Sequence, residues 1–204
     1  MMNKKADMGI GTLIIFIAMI LVAAIAAGVL IQTATSLQNR ALLTGDRTRG
    51  QVSTGMNTLL LYAMNGTNGT VDDFRQKVQL SPGSDPVTLE TALLSFDTDR
   101  ISGDYTFTND TCEYDDTGGT GTGYHFNETE GNGTFAVRYL VEGPNHQDGY
   151  LVRGDIVELC YAAPEQIEED TRLRLSFNPQ RGTPLTIDTS TPNIMTSERV
   201  YIFP

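Results

Sequence analysis

Two cysteines, two histidines and, beyond the first nine residues, a single lysine are sparse material for chemistry in a chain of 204 residues. Cys112 and Cys160 lack the close spacing of metal-ligand pairs, and neither His125 nor His146 stands near a plausible nucleophile in the sequence. No glycine-rich phosphate loop and no nucleophile elbow occur, so nothing supports an enzyme, a cofactor or a metal centre. Basic side chains are also outnumbered, 14 against 25 acidic ones, giving a formal charge of -11. Such a surface repels nucleic acid and stays soluble.

Charge is missing altogether from Ile10 to Ile31, which reads IGTLIIFIAMILVAAIAAGVLI. About twenty apolar residues suffice for a helix to cross a bilayer. The run is apolar on every face, so it belongs in lipid or inside a packed bundle. Ahead of it, Lys4 and Lys5 resemble the positive region of an export signal, yet no small-x-small cleavage site follows the run. The small residue placed for processing is Gly9. A cut there removes two basic and one acidic residue, taking the charge to -12, and leaves Ile10 as the new N-terminus. The alternative is an uncleaved signal anchor.

Ala23 and Ala27 lie four residues apart, as do Ala24 and Gly28, which allows close backbone approach on two adjacent helix faces. The spacing of Leu37, Ala41 and Leu42 continues the helix to about Thr44, where Gly45 offers a stop. Gly45, Gly50 and Gly55 then read as a flexible neck.

From Met56 onward, short apolar runs alternate with turn clusters, as in an all-β domain. Expected strands are Met56–Met64, Leu89–Phe96, Tyr105–Thr108, Phe135–Val141, Ile156–Tyr161, Arg172–Phe177, Leu185–Asp188 and Arg199–Phe203. The fold class is therefore α+β: a long N-terminal apolar helix followed by an all-β sandwich or barrel-like head. The implied division is a leader at 1–9, an assembly helix at 10–44, a neck at 45–55 and an outer domain at 56–204.

Five N-glycosylation acceptors, at Asn65, Asn68, Asn109, Asn127 and Asn132, point to export; the competing explanation is that Asn, Gly and Thr crowd into loops anyway. In an exported head Cys112 and Cys160 are expected to pair, the alternative being two separate buried thiols. Residues 110–133 read as a long exposed loop. Its Asp110, Glu113, Asp115 and Asp116 could hold a hard cation, although no calcium-loop spacing is present. Arg153-Gly154-Asp155 spells an adhesion tripeptide but reads as an ordinary turn into a strand. Glu165 to Asp170 (EQIEED) reads as a solvated turn or short helix that could meet arginines of a neighbouring subunit.

The segments KKADMG, IGTLIIFIAMILVAAIAAGVLIQ, LQNRALLTGDRTRGQVSTGM and TPNIMTSERVYIFP resemble the archaellins, the archaeal flagellins, at both ends of the chain. Bacterial pilins are less similar, since Ile14 stands where they carry a glutamate at the fifth mature position. The resemblance implies cleavage between Gly9 and Ile10 by a prepilin-peptidase-like signal peptidase, membrane insertion of the precursor, and a helical homopolymer. Other archaellins could co-assemble, an assembly and motor complex would turn the filament for swimming, and the mature protein would be extracellular. Two alternatives remain open at this point: an adhesive type IV-like pilin, and a signal-anchored monomeric binding domain.

Overall fold

In the computed structural model, the described residues are 4–109, 112, 126–127 and 132–203. The chain divides into two units, Met1–Thr48 and Arg49–Pro204. The helix α1 runs without interruption over Lys4–Ser53, which at about 1.5 Å per residue makes it about 75 Å long. The expected stop at Gly45 and the flexible neck are both corrected. Glycine costs a helix only about 1 kcal/mol against alanine, and no proline intervenes, so Gly45 and Gly50 are carried through. The helix ends where backbone groups find partners in the head: Thr183 N donates to Thr54 O at 2.9 Å and Gly55 N to Ser84 Oγ at 3.0 Å.

The strands of the head are β1 (Met56–Met64), β2 (Thr70–Leu80), β3 (Val87–Thr88), β4 (Leu93–Thr98), β5 (Ser102–Phe107), β6 (Phe126–Asn127), β7 (Asn132–Val141), β8 (Tyr150–Leu151), β9 (Ile156–Glu168), β10 (Arg172–Asn178), β11 (Leu185–Ser190) and β12 (Arg199–Phe203). One sheet follows the order β11-β10-β4-β5-β7-β9-β2-β1-β12, with β6 on β7, while β3 and β8 pair separately. Only the β5–β7 pair within it is parallel among the described strands. The sheet curls until its two ends nearly meet: Thr189 Oγ1 on β11 donates to Ile202 O on β12 at 3.2 Å. A nearly closed barrel leaves little open edge for stray pairing.

Leu173, Leu175 and Phe177 alternate inward along β10, as their spacing requires. They join Phe74, Phe96, Tyr105, Phe135 and Tyr161 in one interior. Phe74 and Phe96 meet edge to face at 5.0 Å, and Phe135 and Phe177 at 6.0 Å. Such pairs add about 0.5–1.5 kcal/mol each to what area burial supplies. At the centre, the fully buried Tyr161 hydroxyl has no hydrogen-bond partner among the described residues. Burial pushes its pKa far up. Tyr161→Phe removes an unpaired polar atom while keeping the ring, so chemical denaturation should show an unchanged head or one stabilised by about 1 kcal/mol. A loss of stability would mean that the hydroxyl is paired.

Three expectations on the head are corrected. The run Glu165 to Asp170 is neither a free turn nor a helix: β9 continues to Glu168, and only the last two residues turn, with Asp170 at φ 54°. Ile167 pairs with Val71 and is buried, which draws the acidic run into the sheet. Pro164 is tolerated because the β2–β9 register is broken at that point. Second, residues 110–133 are not wholly loop, since β6 pairs with the start of β7 at Asn132. The carboxylates Asp110, Glu113, Asp115 and Asp116, which could hold a cation although no metal site is expected, lie outside the described residues, as does His125. Third, β2 was not expected at all.

Candidate assembly helix and head surface

Every large apolar side chain from Ile10 to Ile31 is exposed on the helix, between 49% and 68%. No face of this run is spared, so burying it requires surroundings on all sides. At about 33 Å the run also matches the hydrocarbon thickness of a bilayer. Its one hydroxyl is satisfied locally: Thr12 Oγ1 donates back to Gly9 O at 3.0 Å. Thr33 and Thr35 do the same to Leu30 O and Ile31 O at 2.9 Å. A polar atom so paired is cheap to hold in an apolar medium.

Ala23, Ala24, Ala27 and Gly28 fall in the middle of this run, on its continuous helix. Beyond its chain neighbours and the local helix backbone, a Cβ at Gly28 would meet nothing within 4 Å, and the same holds at Gly9. Gly28 is therefore not required by the packing of its own chain. Gly9 and Ile10 lie on the same helix, with Ile10 exposed.

On the head, the acceptor asparagines occupy different settings. Asn68 and Asn109 are exposed, as is Asn132 at the start of β7. Asn127 is the direct register partner of Asn132, a neighbourhood that sequence spacing did not reveal. Asn65 is exposed but committed: its Nδ2 donates to Asp72 Oδ1 at 2.7 Å, and it stands at φ 66°. The following Gly66 is wedged under β12, where a Cβ would come within 2.3 Å of Val200 Cγ2. Cys112 and Cys160 are joined by a disulfide with Cα atoms 5.6 Å apart, and Cys160 is buried beside Ala136 and Ala162.

The adhesion-like tripeptide is used internally. Asp155 is 1% exposed; its Oδ1 accepts from Gly143 N at 2.7 Å and its Oδ2 from Val152 N at 3.2 Å. Gly154, at φ 96°, lets the two backbones pass, with Gly143 Cα only 3.3 Å from where its Cβ would be. A carboxylate so enclosed organises the β7–β9 connection and is not presented to a receptor. His146 closes the same turn, 3.4 Å from Asp155 and 3.2 Å from Asp148, with its ring 4.4 Å from that of Tyr139 in an edge-to-face pair. Desolvation works against the charged imidazole, but the hydrogen bonds to Asp155 and Asp148 and the charges of Asp155 and Glu142 outweigh it, and the pKa is raised. The stabilisation is thus complete below the ordinary value near 6.5 and is lost as pH rises through the higher folded value. Thermal midpoints of the head should fall across that window, and His146→Asn should flatten the fall.

On the outside of the sheet, Glu158 is 1% exposed and held by two partners: Tyr62 OH donates to its Oε1 at 2.6 Å and Arg138 pairs with its Oε2. Burial, and then the bond to Glu158 and its charge, push the Tyr62 pKa up to about 12. A buried carboxylate with a phenol and a guanidinium in place is fully satisfied and holds β1, β7 and β9 in register. Nothing here is arranged to attack or protonate a substrate.

A family model for archaeal-type flagellin matches residues 6–189. A Flagellin B1 of Methanocaldococcus jannaschii is 33% identical over 202 residues, covering 93% of this chain and 91% of that one. A Flagellin B1 of Thermoplasma volcanium is 39% identical over 110 residues, 52% of this chain and 44% of the relative. Several other matches likewise span less than half of the relative's length. Among solved structures, the archaeal flagellum of Methanospirillum hungatei superposes with a TM-score of 0.66 at 12% identity over 96% of this chain and 99% of that chain. The crystal structure of archaeal flagellin FlaB1 from Methanocaldococcus jannaschii gives 0.59 at 20% identity, over 73% and 96%. These two likenesses establish the fold, a long helix ahead of a β head. The chain belongs to the archaeal-type flagellin family.

Proposed function

We propose that this chain is a non-enzymatic structural subunit of the archaellum, polymerising through its N-terminal helix into the filament that is rotated for swimming. The observation that carries the reading is the apolar run exposed on all faces, with small residues at Ala23, Ala24, Ala27 and Gly28. The precursor sits in the membrane, and a prepilin-peptidase-like signal peptidase removes residues 1–9 by cutting between Gly9 and Ile10. Helices then exchange lipid for one another. Lipid tails are as apolar as leucine, so close packing supplies the preference.

The partners are further copies of the chain, other archaellins where they co-assemble, and the assembly and motor complex; nucleic acid is excluded by charge. The heads stand outside the cell and carry glycans on the acceptor asparagines. The buried Asp155 argues against adhesion through the tripeptide at 153–155. Peptides of this head should dominate filaments sheared from cells and sedimented, and cells lacking the chain should stop swimming. Filaments of unchanged composition and unchanged motility in such cells would contradict the reading.

A further inference from the structure

Four of the chain's 14 basic residues stand on one stretch of the outer sheet face. Register fixes this. Lys77 is opposite Leu60 and Glu158, Arg75 opposite Tyr62 and Cys160, and Tyr62 opposite Tyr201; Arg138 faces Glu158, and Met64 faces both Asp73 and Arg199. The carboxylates on these rungs, Asp73 and Glu158, are both buried and paired, to Arg75 at 3.2 Å and to Arg138. What faces outward is cationic and aromatic. The Arg199 guanidinium lies 4.8 Å from the Tyr62 ring centre and Lys77 Nζ 5.7 Å from it, with Tyr201 beside them and 58% exposed. In a chain of net charge -11 this is a concentrated exception.

The complementary feature is the acidic turn closing β9. Glu168, Glu169 and Asp170 are exposed; among the described residues Glu168 pairs only with Arg100, at 3.8 Å between two largely exposed side chains, and Glu169 accepts from Met195 N through Oε1 alone, at 2.7 Å. We infer that the cationic face made by Lys77, Arg138 and Arg199 docks the acidic turn Glu168–Asp170 of a second copy of this chain. The inference rests on the filament reading above and names a head-to-head contact within it. The two surfaces are different patches, so the contact is heterologous and propagates from copy to copy instead of closing a dimer. Opposite charges on exposed surfaces fix register and partner more than they add affinity. The helix therefore holds the polymer together, and this contact sets how neighbouring heads meet.

The test is a charge exchange in full-length chains produced in their own cells. Lys77→Glu with Arg199→Glu, or Glu168→Lys with Glu169→Lys, should each lower the yield of sedimentable filaments about tenfold, and the four changes combined should restore most of it. Recovery in the combined chain also demonstrates that the altered heads fold. Native filaments should shear more easily as salt rises to about 1 M, where screening reaches about 3 Å. Unchanged yields from both double variants would overturn the inference while leaving the filament reading intact, because wild-type filaments would still contain this chain. Loss without rescue, or loss only of attachment to anionic polysaccharide, would also overturn it, the latter by assigning the face to a different partner. Wild-type chains recovered only from membranes would overturn the filament reading itself.

Discussion

A Gly28→Leu chain is expected to enter the membrane as well as the native one and to yield at least about tenfold fewer filaments. Leucine favours insertion by about half a kcal/mol, and a Cβ at this position meets no atom within 4 Å beyond its chain neighbours and the local helix backbone. The damage falls only on packing between helices. Small residues four apart allow backbones to approach closely, and a leucine between them forces the helices apart and costs each dispersion contact along the seam. Ala24→Leu, on the same face one turn earlier, should behave alike, whereas Leu30→Ile, which conserves volume, should not. Membrane fractionation measures the first half of the claim and sedimentation of sheared material the second. Normal filaments from both small-to-large variants would remove the role of these faces.

The second large effect is on the head. Opening the bond between Cys112 and Cys160, 48 residues apart, frees a long loop in the unfolded chain. Chain-entropy reasoning puts the loss at about 4 kcal/mol, enough to lower the thermal midpoint of a domain this size by about 10 °C. Cys112→Ala with Cys160→Ala avoids leaving a polar thiol or hydroxyl in the apolar niche beside Ala136 and Ala162. Scanning calorimetry on the double variant, or on native protein with reductant, reads the shift. A midpoint within about 2 °C of the native one would mean that the sheet alone holds the head.

How much of this was legible in the sequence depended on whether one residue class dominated a segment. The apolar run announced itself through the absence of charge, and Arg172 to Phe177 through strict alternation, and both stand as expected. β2 was invisible for a physical reason. Its outward side chains Asp73, Arg75 and Lys77 are charged, and Gln76 on the inward side is buried with its Nε2 on Thr58 Oγ1 at 2.8 Å, so no apolar period survives in TVDDFRQKVQL. A central strand with charges on one face is possible here because Glu158 and Tyr62 lie across from them.

The helix end was misjudged because Gly45 was weighed as a stop, while the groups that end the helix, Ser84 and Thr183, are distant in sequence. Of the surface features, the basic positions could be counted in the sequence. Their gathering on one face could not, since it follows from the register of β7, β9, β2, β1 and β12.

The most direct test of the central claim, that an apolar helix freed of its leader builds a filament, is the N-terminal sequence and intact mass of the protein sheared from cell surfaces. An N-terminus at Ile10 in sedimentable filaments, with added mass on peptides containing the acceptor asparagines, is the result expected. Recovery only from membranes, with Lys4 and Lys5 still attached, would contradict it.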